Sequence, residues 1–253
     1  MGFFKSLGRA ISSGVKKVGN AIGRGVEKIG EVVHSTTIQN AGFNLQCACD
    51  FGYTSWDEGS SVSRTVDVHK ELNKVTESIG PSAAAAEKSI IDICIAEVGE
   101  IISNFMKLTP CSDLSRLNEN YESEIQTKLT GQVMKYIQPR LSLDDKECKE
   151  ILDIYDDSER KRRADEFKAK VLTEAEQKFK TQCSQTKKEY CQKMLIIADA
   201  ELSSVQEETK KQKDLLQKML MEVTDESTID VERVQALLTI ETLSALSTIA
   251  FDS

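Results

Sequence analysis

The residue types with chemical potential in this 253-residue chain are cysteines, histidines and carboxylates, and their spacing indicates no catalytic centre. Cys47 and Cys49 lie two residues apart, so both thiols would project from one face of an extended strand. A tetrahedral zinc site needs two further ligands, and neither His34 nor His69 has ligand spacing. We therefore expect the cysteines to be small buried side chains, and the sequence predicts no metal ion and no cofactor.

Enzyme motifs are missing from the sequence as well. The chain has no GxxxxGK[ST] phosphate loop, no H-E-x-x-H zinc motif and no paired Cys-x-x-Cys sites. Two histidines give little material for a nucleophilic triad. The basic cluster Arg160-Lys161-Arg162-Arg163 is more simply explained as a solvated helix start than as a phosphate site. We therefore predict that the protein is not an enzyme.

Charge is distributed unevenly along the chain. Residues 1–33, which we call the head, contain six basic and two acidic residues, a net charge of +4 in a chain of net charge -8. The other 220 residues therefore carry -12, which argues against nucleic-acid binding. A basic head on an acidic body suits an anionic membrane surface, which is the first predicted partner.

An eleven-residue repeat organises the head. The segment 7–17 is followed by a second copy at 18–28, and a third copy begins at Ile29. Apolar residues recur in steps of four, four and three, which is helical spacing, and eleven residues in three turns keep one stripe aligned. The opposite face is mostly basic, as in helices that lie in a membrane interface. The predicted membrane-binding residues are Phe3, Phe4, Leu7, Ile11, Val15, Val18, Ile22, Val26 and Ile29 together with Lys5, Arg9, Lys16, Lys17, Arg24 and Lys28.

Glycines make this predicted helix conditional. Each interior glycine costs about 1 kcal/mol relative to alanine, so the head should be weakly helical in water until its apolar stripe is buried. A membrane can bury that stripe. A partner helix in the protein or in an oligomer can also do so, because Gly19 and Gly23 form a GxxxG pair that permits close helix approach. A disordered arm is the third interpretation.

The first residues of the chain also bear on where in the cell the protein is made and acts. Residues 1–6 fit the loose M-G-x-x-x-[ST] pattern of N-myristoylation, which makes Gly2 a candidate lipidation site, although the bulky Phe3 fits poorly. The head has no unbroken apolar core of a signal peptide, and the chain has no run of 18 uncharged apolar residues. We expect synthesis in a reducing cytoplasm and action at a membrane, there or after release.

Residues 34–80 predict a β-hairpin. Apolar and polar residues alternate from Phe43 to Tyr53, which is typical of a half-buried strand. Residues 62–68 alternate in the same way, and a turn-rich stretch lies between the two runs. We predict strands at 42–54 and 61–68, packed on the helical body in preference to inserted in lipid.

Residues 81–253 predict a helical body. One helix is expected to start after Pro81 and to end at Pro110, and a second is expected at about 113–137. Carboxylates interspersed in the broad apolar stripe of the first helix indicate a core helix. The stripe residues are Ile90, Cys94, Val98, Ile101, Phe105 and Leu108.

The last 114 residues contain neither glycine nor proline. We predict a short helix after the Asp144-Asp145 pair, a long helix at about 158–224 and a last helix at about 229–251. The long helix would span about 100 Å at 1.5 Å per residue, which is longer than a compact domain. A rod, a coiled-coil hairpin or a homo-oligomer is therefore expected.

The predicted fold is mainly α: an elongated helical bundle or coiled coil with one β-hairpin and an N-terminal amphipathic helix. The head is similar to membrane-penetrating peptides, including the N-termini of some viral outer-capsid penetration proteins. The body is similar in outline to α-helical pore-forming proteins, and no family-specific motif carries either likeness.

Three functional hypotheses follow. The first is a membrane-perturbing or pore-forming protein, toxin or penetration protein, that inserts the head and oligomerises through its helices. The second is a membrane-tethered coiled-coil scaffold or structural assembly protein without lytic activity. The third is a soluble helical effector that binds a protein partner through the long helices.

Overall fold

The computed structural model describes residues 20, 23–27, 29–32, 34–108 and 112–222. This part of the chain is mostly helical, which confirms the mainly-α prediction. Residues 23–27 and 29–32 are helical. The other helices are α1 (Thr37–Asn40), α2 (Val62–Leu108), α3 (Ser112–Leu129), α4 (Gln132–Arg140), α5 (Lys146–Leu152) and α6 (Asp157–Glu222). The helix predicted at 229–251 lies outside the described residues.

The chain divides into two compact units. Unit 1 comprises Met1–His34, Glu97–Tyr121 and Lys188–Ser253, and unit 2 comprises Ser35–Ala96 and Glu122–Lys187. Both units therefore draw on α2 and α6, whose lengths are 47 and 66 residues. The bounds of α6 lie close to those predicted for the long helix, since no breaker interrupts its sequence.

The predicted hairpin is wrong. No strand occurs among the described residues, and residues 62–68 form the first turns of α2 instead. Val62 and Val66 are four residues apart, a spacing that fits a helix as well as alternate positions of a strand. Val62 is 82% exposed whereas Val68 is fully buried. The stripe that begins at Val68 continues with Leu72, Val75 and Ile79, and this spacing is helical.

Helix α2 also continues through Pro81, where the sequence predicted a helix start. Proline lacks an N–H group, so one hydrogen bond of the helix is lost at this turn. Buried apolar residues on both sides of the proline offset that loss, because the stripe runs from Ile79 to Ala83, Ala86 and Ile90 without a change of face.

A charged cap explains why the predicted second helix is two helices. Gly131 has a positive φ of 79° and separates α3 from α4. Glu87, which is buried in α2, accepts hydrogen bonds from the N–H groups of Gly131 at 2.7 Å and Val133 at 2.6 Å. A carboxylate at a helix N-terminus satisfies free N–H groups and favourably meets the helix dipole. Glu87 therefore fixes the start of α4 from a distant part of the chain.

Candidate functional site

Most of the predicted membrane-binding residues lie outside the described residues, and three lie within them. Arg24 is exposed, Val26 is 40% exposed and Ile29 is 2% exposed. The predicted residues outside the described part are Phe3, Phe4, Lys5, Leu7, Arg9, Ile11, Val15, Lys16, Lys17, Val18, Ile22 and Lys28, and the candidate lipidation site Gly2 lies there too.

The described end of the head packs against protein in unit 1. A Cβ atom added at Gly25 would lie 2.5 Å from Cε2 of Phe105, a ring that is itself buried. Glycine therefore brings the helix backbone directly onto this ring. The buried face runs through Gly25 and Ile29, so it is shifted from the predicted stripe, in which Val26 takes the place of Gly25.

In unit 2, residues 41–53 form an extended segment that we call the strap. Its odd-numbered side chains up to Cys49 are half-buried and its even-numbered ones up to Asp50 are exposed, so the period of two predicted from the sequence is present. The strap has no partner strand in the described part of the chain. The prediction of a paired strand at 42–54 is therefore wrong, because helix side chains take over the role of the partner.

On one edge the strap backbone is hydrogen-bonded to the hydroxyl of Ser82 in α2. The Gln46 N–H donates to Ser82 Oγ at 2.9 Å, and the same hydroxyl lies 3.0 Å from the Gln46 carbonyl oxygen. Backbone N–H and C=O groups of one residue point to the same edge of an extended strand. The Ser82 hydroxyl thus takes the place of the facing residue that a neighbouring strand would supply in a hydrogen-bonded pair.

On the other edge, cations of α6 donate to strap carbonyls. Lys180 Nζ donates to the Ala41 carbonyl at 2.7 Å, and Lys168 Nζ lies 3.5 Å from the Cys49 carbonyl. Arg160 Nε donates to the Gly52 carbonyl at 2.8 Å. The strap therefore runs antiparallel to α6. Lys168 also forms an ion pair with Asp50, and Lys187 Nζ extends the pattern beyond the strap by donating to the Ser35 carbonyl at 3.3 Å.

Arg160 corrects a second prediction, that of a solvated basic cluster. Its side chain is 2% exposed, whereas Arg162 and Arg163 are exposed and pair with Glu159 and Glu166. A buried cation requires hydrogen-bond partners. The partners of Arg160 are the carbonyl oxygens of Gly52, Tyr53, Ile154 and Tyr155 and the carboxylate of Asp157.

Aromatic contacts complete the attachment of the strap. The rings of Phe43 and Phe179 lie 5.8 Å apart, and Phe51 meets Phe167 edge-on at 6.4 Å. Gly52 has a φ of +89°, and a Cβ atom there would lie 3.1 Å from the Cβ of Ala164. Only glycine adopts this conformation without strain at such close approach.

Burial and ion pairing account for the shifted pKa values of two thiols and one carboxylate in the described part of the chain. Burial raises the pKa of the Cys148 thiol to about 12, and burial together with the neighbouring Cys94 raises the pKa of Cys183. Such thiols are poor nucleophiles because the thiolate is the reactive form. Hydrogen bonding to Lys170 lowers the pKa of Glu147, which also binds Arg140. This carboxylate is engaged in a structural ion-pair network.

The described part of the chain contains no group of three or more His, Cys, Asp or Glu side chains placed to hold a metal ion. None of its helices combines the length and apolar character needed to cross a membrane. None of the six described cysteines forms a disulfide bond.

The strap and the buried end of the head are the two arrangements that sequence reasoning missed. The unexplained glycines Gly25 and Gly52 were the available signal, since each marks a close approach. No protein-family model matches this chain, and comparisons with curated proteins and with solved structures found no significant match to it.

Proposed function

We propose that this protein binds anionic membrane surfaces through its head and perturbs them, with the helical body as the carrier and oligomerisation unit. The observation that carries the proposal is the eleven-residue repeat, which places apolar residues on one face and basic residues on the other. The net charge of +4 on the head, against -12 on the remainder, orients the head toward an anionic surface.

A comparison of the glycine cost with the gain from apolar burial favours a head that becomes helical when it binds a membrane. Each interior glycine costs about 1 kcal/mol, and burial of an aliphatic or aromatic side chain returns about 1.5 kcal/mol or more. The apolar stripe has more members than the head has interior glycines. Lipid contact along the stripe therefore outweighs the glycine cost, whereas water alone leaves that cost uncompensated.

The described end of the head has a different role in this proposal. Ile29 is buried and Gly25 contacts Phe105, so these residues attach this end of the head to α2 within unit 1. The first two copies, residues 7–28, then supply most of the lipid contact. Val26 remains part of the lipid-facing stripe because 40% of its surface is exposed.

The second candidate function is a membrane-tethered helical scaffold without lytic activity. Burial of Gly25 and Ile29 against protein favours it, because the same stripe that could enter lipid is used there for packing. The 66-residue α6 offers the long surface that such a scaffold needs. The two candidates differ in whether membrane binding is followed by leakage.

Binding to anionic liposomes and release of an entrapped dye test both candidates in one preparation. The variant Ile11→Asp/Ile22→Asp disrupts the predicted stripe, and Ser12→Asp/Ser13→Asp adds the same charge on the predicted polar face. Loss of binding in the first variant beyond that in the second supports insertion of the stripe. Each added negative charge costs about 1 kcal/mol at such a surface, so the control is expected to weaken binding as well.

The outcome for the unmodified protein separates the candidates. Binding with dye release supports membrane perturbation, and binding without dye release supports the tether. If the full chain does not bind anionic liposomes at any salt concentration, both membrane functions are contradicted, and a soluble effector with a protein partner is left.

A further inference from the structure

We infer that the strap, residues 41–53, is a releasable element of unit 2 that leaves the groove between α2 and α6 as one unit. Its backbone is held almost entirely by helix side chains. Within the described chain, Gln46 is the only strap residue whose N–H donates a hydrogen bond. A paired strand of this length would use about half of its N–H groups on each edge.

The chemistry of the α6 edge explains why strap amides stay unpaired. Lys168, Lys180 and Arg160 are donors without acceptor capacity, so they satisfy strap carbonyls and offer nothing to the neighbouring N–H groups. Water can reach N–H groups that a sheet would protect. The strap is therefore anchored at a few points, whereas the helices beside it are held by their own backbone hydrogen bonds.

Release would expose apolar surface on both sides of the contact. Phe43 and Phe51 would leave Phe179 and Phe167, and Phe51 and both helix rings are buried in the docked state. The 13 residues of the released strap could span about 45 Å when fully extended. Release of the strap would therefore provide both a flexible tether and an uncovered apolar groove.

Cys47 and Cys49 report on release because they lie in the middle of the strap. The Cys47 thiol donates to the Cys49 carbonyl at 2.9 Å and lies 3.4 Å from Ser78 Oγ, and both cysteines are half-buried. Their alkylation by iodoacetamide can be followed by mass spectrometry in the folded full-length protein. The buried Cys148 of α5, in the same samples, reports on unfolding.

The test removes an anchor that is several residues away from the thiols. Lys180→Met deletes the donor to Ala41 and Gln39, and the matched control Lys178→Met alters an exposed lysine that stacks on Tyr136. If the strap leaves as one unit, Lys180→Met should accelerate alkylation of Cys47 and Cys49 on the order of tenfold. Loss of one hydrogen bond to a charged group changes the equilibrium constant for release by about that factor. The control should leave these rates unchanged, and alkylation of Cys47 and Cys49 should remain much faster than that of Cys148.

The opposite end of the strap provides the second variant. Arg160→Met removes the donor to Gly52 and Tyr53, and a unit release again predicts faster alkylation of the two strap thiols. Unchanged alkylation in both variants would overturn the inference, because the ends would then move independently of the middle. Alkylation of Cys47 and Cys49 that is no faster than that of Cys148 would overturn it too, because the strap would then open only when the whole fold does.

Discussion

Two segments of this chain attach to helices without pairing as strands, and they do so by opposite means. The strap is held by charged donors that reach backbone carbonyls, as Lys180 and Arg160 do. The described end of the head is held by the absence of a side chain, since Gly25 lets its backbone meet Phe105. The first attachment depends on charge and direction, whereas the second depends on shape.

Replacing the charged anchor should give the largest effect on stability. Arg160→Met leaves the buried carbonyl of Gly52 and the part-buried carbonyl of Ile154 without their donor, so we expect the free energy of unfolding to fall by about 2–4 kcal/mol. Urea denaturation followed by circular dichroism measures this change. Arg162→Met is the matched control, and its exposed ion pairs should contribute little because solvent screens them. Equal losses in the two variants would contradict the role given to Arg160.

Filling the shape-dependent contact should give the next largest effect. Gly25→Leu forces a side chain into the space of the Phe105 ring, and we expect a loss of about 1–3 kcal/mol, as for overpacked cores. The exposed helical Gly23, which has no atom within 4 Å of an added Cβ, is the control position. Gly23→Leu should be neutral or slightly stabilising, since leucine has a higher helix propensity. A harmless Gly25→Leu would show that the close packing on Phe105 is dispensable.

A backbone change within the strap should be smaller. Gly52→Ala places a Cβ on a residue with φ of +89° and against Ala164, and we expect a loss of about 1–2 kcal/mol. Gly42, which has open space around it, is the matched site for Gly42→Ala. Thermal unfolding of both variants checks this expectation. Comparable melting temperatures would argue that the positive φ at Gly52 is not required.

Alkaline pH should loosen only the charge-dependent attachment. Burial lowers the pKa of Lys168, but hydrogen bonds to Asp50 and Asp165 outweigh it and the pKa is raised above 10.5. Its stabilisation is therefore complete below pH 10.5 and is lost as the pH rises through the raised pKa. Fluorescence of Trp56, the only tryptophan, reports on the adjoining segment. We expect an alkaline transition that Lys168→Met removes, and its persistence in that variant would assign it to another group.

The sequence predicted well whatever depends on local periodicity. The stripe of α2 and the length of α6 follow from repeated apolar spacing, and the alternation of the strap was visible from Phe43 onward. The start of α2 was misassigned because Val62 and Val66 fit both periods over a short window. Pro81 was predicted to be a helix start because proline inside a helix removes a backbone hydrogen bond. The burial of apolar residues that offsets this loss is seen only in the structure.

Long-range polar contacts could not be predicted from the chain alone. Arg160 meets Gly52 across 108 positions, and its immediate neighbours are solvated basic residues with the same sequence character. Glu87 meets Val133 across 46 positions and looks like any helix carboxylate. Such partners leave no signature in residue type or spacing, so only the folded arrangement shows them.

The capture of carbonyls by α6 has a consequence for how this protein can change over time. Every amino acid carries the same carbonyl group, so the cations recognise the path of the strap and are indifferent to most of its side chains. The outward positions Gly42, Asn44 and Ala48 touch no anchor and can accept substitutions while the strap stays docked. The outward face of the strap can therefore change its sequence, and with it what that surface binds, with little loss of stability.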